Sequence, residues 1–74
     1  MEYYERIKII RTGKDITQEE IGKAIGITKQ QYGKYEKGKH LIPIPYLIEI
    51  CRYLNVSADY ILGLPKNLQY PPFD

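Results

Sequence analysis

Between residues 29 and 39, Lys29, Lys34, Lys37 and Lys39 stand against one carboxylate, Glu36, with Gln30 among them. Residues 1–28 carry five basic and five acidic side chains and residues 41–74 carry two and three, so the local charges along the chain are 0, +3 and −1. A short segment holding more than the whole net charge of +2 is what an anionic partner selects. Wound at 3.6 residues per turn, Lys29, Gln30, Gly33, Lys34 and Lys37 share one polar side, while Tyr32, Tyr35 and Glu36 point the other way. That polar set suits a DNA major groove: the Gln30 amide matches adenine's donor and acceptor edge, lysine donates to guanine N7 and O6, and Gly33 leaves the backbone close to the groove floor or a thymine methyl. Lys37 and Lys39, at and past the helix end, suit phosphates, which fix register without reading sequence. Gln18 opens the preceding helix, where free backbone amides also favour a phosphate.

Other chemistries lack their residues. The single cysteine, Cys51, has no partner for an internal disulfide, and with the single histidine, His40, it falls short of a four-ligand metal site. Neither has the base, orienting acid or oxyanion donors of nucleophilic catalysis, so a non-enzymatic protein without metal or cofactor is expected. Met1-Glu2-Tyr3-Tyr4-Glu5 lacks the order of a signal peptide, and no apolar run nears the roughly 18 residues of a membrane helix. A soluble, cytoplasmic protein follows as an expectation. Seventy-four residues, 43% apolar and 27% charged, hold one compact unit. A core that small contributes only about 3–5 kcal/mol net, so dimerisation helps.

The elements that carry these residues are helical throughout. Tyr3, Ile7 and Ile10 keep one stripe covered over residues 3–12, ending at Gly13. Thr17, three residues before Glu20, forms a capping box that starts helix 2, which has room as far as Ile25 before Gly26. Thr28 caps helix 3, expected from Lys29 to about Lys37 and stopped by Gly38. Pro45 suits the first turn of helix 4, which carries Leu47, Ile48, Ile50, Cys51 and Leu54 as its apolar pattern, with Cys51 read as a buried small hydrophobe. Ser57 starts a fifth helix through Leu62, closed by Gly63. The fold class is all-α with five helices in a domain over 1–65, and 66–74, with two consecutive prolines, is expected as an extended tail.

Thr17 to Gly38 fits a helix-turn-helix better than any two neighbouring helices. Gly22 sits mid-helix, where glycine costs about 1 kcal/mol against alanine, so a close approach of the next helix is expected there. Gly26 supplies the turn, and Ile21, Ala24, Ile25 and Ile27 are the expected core positions. Tyr32 is read as core, and the Tyr35 hydroxyl is left free to reach solvent or a phosphate.

Thr17-Gln18-Glu19-Glu20-Ile21-Gly22, Gly26-Ile27-Thr28, Tyr35-Glu36-Lys37-Gly38 and Ala58-Asp59-Tyr60-Ile61-Leu62-Gly63 together resemble the Cro/repressor type of helix-turn-helix protein, the lambda-repressor-like family, over about residues 6–64. The resemblance implies a compact five-helix DNA-binding domain, commonly a dimer on an operator, acting as a repressor or a Cro-like switch protein. It places base reading on Lys29, Gln30 and Lys34, and phosphate contacts on Gln18, Gln31, Lys37 and Lys39. It also implies a salt bridge between Arg11 and Glu36, tying helix 1 to the end of helix 3. Gly22 departs from the alanine common there, Gly33 from an ordinary recognition helix, and Ile42-Pro43-Ile44-Pro45 makes an unusually rigid loop. Double-stranded DNA with a palindromic operator is the expected partner of a homodimer. The alternative is a protein-interaction module on the same scaffold, such as an antitoxin or anti-repressor, using apolar surface around helix 5 and residues 68–73.

Overall fold

The computed structural model describes residues 1–65 and residue 68. Those residues form five helices, α1 Tyr3–Gly13, α2 Gln18–Ile25, α3 Lys29–Glu36, α4 Ile44–Leu54 and α5 Ala58–Leu62, with no strand among them. Apart from Leu68, which is exposed, the expected tail lies outside the described residues.

The starts of α2, α3 and α5 follow from a side chain that replaces a missing intrahelical partner. The Thr17 hydroxyl accepts from the Glu20 amide at 3.0 Å, and the Glu20 carboxylate accepts from the Thr17 amide at 2.8 Å, which is the reciprocal capping box. Hydrogen bonding from Thr17, its backbone amide first, holds the Glu20 carboxyl below its ordinary pKa. Thr28 accepts from the Gln31 amide at 3.1 Å and Ser57 from the Tyr60 amide at 3.2 Å. α4 instead starts after Pro43 with Pro45 in its first turn, where a missing N–H costs nothing. α1 ends at Gly13 as expected, capped by Lys14, and one boundary differs by a residue: α3 ends at Glu36 with Lys37 as its cap.

Ile7, Ile21, Ile25, Tyr32, Ile50, Leu54 and Ile61 close into one core, and burying each such side chain contributes about 1.5–3 kcal/mol. α2 packs on α3 and α4, α1 on α3 and α5, and α4 on α5. α3 is thereby held from two sides by α1 and α2. Five expected core positions are less buried than expected: Ala24 and Ile48 are exposed, and Ile27, Leu47 and Cys51 are half-buried against the core. Ala24, three positions after Ile21, lies at the edge of the buried stripe of α2, and its single methyl loses little by facing water.

Candidate nucleic-acid interface

The inner side of α3 consists of Tyr32, Gly33, Tyr35 and Glu36, all buried, and Lys29, Gln30, Gln31 and Lys34 form its exposed side. The helix is anchored by burial over residues 32–36 and by the Thr28 cap at its start, so the exposed four project from a fixed backbone.

Gln18 and the exposed side of α3 border a shallow cleft of about 300 Å³, completed by Lys29, Gln30, Gly33, Lys34, Lys37 and Lys39. Its walls carry four lysines and no carboxylate, so its potential attracts anions. A second depression of about 370 Å³, shared with Lys29 and Gln30, has Glu19 beside Lys23 and offers no such one-signed wall. Six of the seven residues expected to contact DNA border the first cleft. The seventh, Gln31, lies outside it, and its Nε2 donates to the Tyr35 hydroxyl at 3.2 Å. Tyr35 itself is buried, its ring against His40 and Tyr46 at centroid distances of 6.4 and 6.1 Å.

Gly33 corrects the wheel reading. It is buried rather than projecting outward, because Gln18 reaches over it: a Cβ built at Gly33 would sit 3.6 Å from Gln18 Oε1. The floor of the cleft is thus a side chain of α2 laid over the backbone of α3. Gly22 meets the chain at the expected place, and its Cβ would lie 3.2 Å from the Ile27 carbonyl oxygen and 3.3 Å from that of Thr28. The close approach is to the turn and the helix cap.

Behind the cleft, Glu36 gathers four donors. Arg11 Nε and Nη2 each donate to it at 2.8 Å, the Tyr32 hydroxyl at 2.6 Å and Gln18 Nε2 at 3.1 Å. Arg11 Nη1 also donates to the Ile16 carbonyl at 2.6 Å. Burial of Glu36 opposes its ionisation, but the hydrogen bonds from Arg11, Tyr32 and Gln18 and the Arg11 charge prevail and hold its carboxyl below the ordinary value. The hydrogen bond to Glu36 raises the Arg11 pKa, against the cost of burying it, while burial and the neighbouring carboxylate raise that of Tyr32. Both members of the pair are charged, and no buried side-chain polar atom among the described residues lacks a partner. The bridge implied by the resemblance is present. The Tyr32 and Gln18 contacts to it were not expected, although the four-residue spacing of Tyr32 and Glu36 is itself a signal for such a pair.

Among the described residues no group of three His, Cys, Asp or Glu side chains could hold a metal ion, and no helix is long and apolar enough to cross a membrane.

Residues 7–61 match the family described as helix-turn-helix. Over 62 residues the chain is 39% identical to the uncharacterized HTH-type transcriptional regulator YobD of Bacillus subtilis strain 168, covering 84% of this chain and 55% of that protein. Over 58 residues it is 41% identical to the SPbeta prophage-derived regulator YonR of the same organism, covering 78% and 54%. The chain therefore spans about half the length of these two relatives. Among solved structures it resembles the P22 c2 repressor protein in complex with synthetic operator 9T, with a TM-score of 0.78 and 26% identity over 84% of this chain and 94% of that one.

Proposed function

The chain belongs to the helix-turn-helix family of the Cro/repressor type, and from that premise we propose that it is a non-enzymatic, sequence-specific DNA-binding regulator of transcription. α3 enters the major groove and α2 lies across the backbone. Lys29, Gln30 and Lys34 read base edges, Gln30 toward adenine and the lysines toward guanine. Gln18, Gln31, Lys37 and Lys39 hold phosphates. Gln18 and Gln31 each commit one side-chain N–H within the protein, and the second N–H of each amide remains to donate.

The observation that carries this reading is the cleft itself, where Gln18, Gln30 and four lysines meet without a carboxylate. YobD and YonR are transcriptional regulators, and the P22 c2 repressor was solved on an operator, which agrees with that chemistry. The protein acts in the cytoplasm as a homodimer on a palindromic operator, with half-sites about one helical turn, roughly 34 Å, apart. Tyr60, Leu62 and Leu64, all exposed at α5 and its end, offer apolar surface to the second copy.

Selection of bound sequences from a random DNA pool, with the dimer state checked in parallel, tests the reading. Recovery of a two-fold symmetric site supports it. An absence of enrichment, or binding to random duplex that ignores salt, refutes it, since neutralised phosphates make affinity fall steeply with salt.

A further inference from the structure

Past the end of α3 the chain turns at Gly38, whose φ is +78°, and two backbone bonds hold the turn. The Gly38 amide donates to the Tyr35 carbonyl at 3.0 Å and the Lys39 amide to the Lys34 carbonyl at 2.9 Å. A left-handed residue with such bonds is an ordinary helix stop. An aromatic ring stands on the other side of the turn. A Cβ built at Gly38 would come within 2.8 Å of three ring carbons of Tyr4, so the ring lies directly on the glycine backbone.

Tyr4 belongs to the first turn of α1 and is half-buried, with the Tyr3 ring edge-on to it at 5.4 Å and 87°. Its reach to Gly38 spans 34 positions of chain and joins α1 to the short stretch bearing Lys37 and Lys39. Those two lysines border the basic cleft, but neither sits inside α3, so the helix alone does not fix where they point. Lysine is a flexible cation, and its contribution to phosphate binding depends on how well its backbone is placed beforehand.

We infer that Tyr4 is a positioning residue for the phosphate contacts of Lys37 and Lys39, acting as a ring clamped on Gly38. The inference rests on the DNA-binding reading above. The ring supplies an apolar face against which the glycine turn is pressed, and its hydroxyl is not required. Leucine at position 4 has no ring to lay over Gly38 as Tyr4 does, so it does not reproduce the contact.

The test measures affinity for duplex DNA of random sequence across a salt series, using the full chain with Tyr4→Phe, Tyr4→Leu, the pair Lys37→Ala and Lys39→Ala, and their combinations. Tyr4→Phe is expected to match the parent. Tyr4→Leu is expected to lower the salt slope by about one and weaken binding roughly tenfold, the effect of leaving one phosphate without its cation. In the background lacking both lysines, Tyr4→Leu is expected to cost nothing further, since coupled residues fail to add. Losses that add overturn the inference, and so does a Tyr4→Phe variant as weak as Tyr4→Leu, which assigns the hydroxyl a direct role. If the parent itself shows no salt-dependent binding, the DNA-binding reading fails instead. Amide exchange then decides the clamp separately: Lys39 must exchange more than tenfold faster in Tyr4→Leu while the α2 and α4 amides keep their protection, and unchanged exchange at Lys39 overturns it.

Discussion

Arg11 and Glu36 meet as a two-point fork, Nε to Oε2 and Nη2 to Oε1 at 2.8 Å each, with both side chains shielded from solvent. The guanidinium plane is further fixed by its bond to the Ile16 carbonyl, and the carboxylate by Tyr32 and Gln18. One buried pair therefore ties α1, the loop before α2, the start of α2 and the end of α3 to one point. Because each charge finds its counter-charge in the other, truncating either partner strands the remaining one.

Arg11→Met and Glu36→Gln are each expected to destabilise the domain by about 3–5 kcal/mol, the usual cost of leaving one buried charge unpaired. An exposed pair such as Arg52 and Glu49 is worth about 0–1 kcal/mol by comparison. Urea unfolding of the two single variants and the double variant checks this. The double variant is expected to lose clearly less than the two singles together, and strict additivity would contradict a coupled pair.

The depressed Glu36 pKa carries a sign for acid stability. The folded state holds this carboxylate ionised where the unfolded chain has begun to protonate it, so the unfolded state binds more protons and stability rises with pH through that window. The contribution is complete above the ordinary value of 4.5 and is lost as pH falls below it toward the lower folded value. Tyr32 acts at the alkaline end: its raised pKa favours the folded, protonated hydroxyl, a contribution lost as pH rises beyond the ordinary 10.0. Stability measured in urea from pH 3 to 6 is expected to fall more steeply on the acid side for the parent than for Glu36→Gln. Equal slopes would remove Glu36 from the acid transition.

Two glycines separate backbone strain from steric crowding. Gly26 has φ +83° and open space where a Cβ would go, whereas Gly38 has φ +78° beneath the Tyr4 ring. Gly26→Ala is expected to cost about 1–2 kcal/mol, the penalty of a left-handed conformation for an L-residue. Gly38→Ala bears that penalty and must also displace the ring, so it is expected to cost more. Paired thermal melts compare them, and equal losses would mean the ring moves aside freely.

Base reading and phosphate binding are distinguished by how a loss distributes over DNA sequences. Gln30→Ala is expected to relax preference at one base position by about 1–3 kcal/mol, whereas Lys37→Ala is expected to weaken all sequences alike and lower the salt slope by about one. Binding measured to the selected operator and to its single-base variants separates the two. A uniform loss in Gln30→Ala would reassign that residue to the backbone.

The elements were legible because their signals are local. Thr17 and Glu20, Thr28, Ser57 and Gly26 mark helix ends through bonds three to five residues long, and the polar side of α3 follows from its period. The cleft was legible nearly residue by residue for the same reason, since all but Gln18 lie within eleven positions. Readings failed where the period has no grip. Glycine has no side chain to assign to a face, so the wheel placed Gly33 by its polar neighbours while Gln18 covers it. Alanine suits either environment, and Ala24 took the exposed one. The bridge of Arg11 to Glu36, 25 positions apart, came from family resemblance, and the meeting of Tyr4 with Gly38 had no local trace at all.

The division of α3 into a buried and an exposed half has a consequence for change over time. Tyr32, Gly33, Tyr35 and Glu36 hold the helix, and Lys29, Gln30, Gln31 and Lys34 take no part in the core. Exposed substitutions away from such anchors usually shift stability by no more than about 0.5 kcal/mol. On the proposed DNA-binding reading, these four positions are therefore free to change target preference in two diverging copies without either passing through an unfolded intermediate.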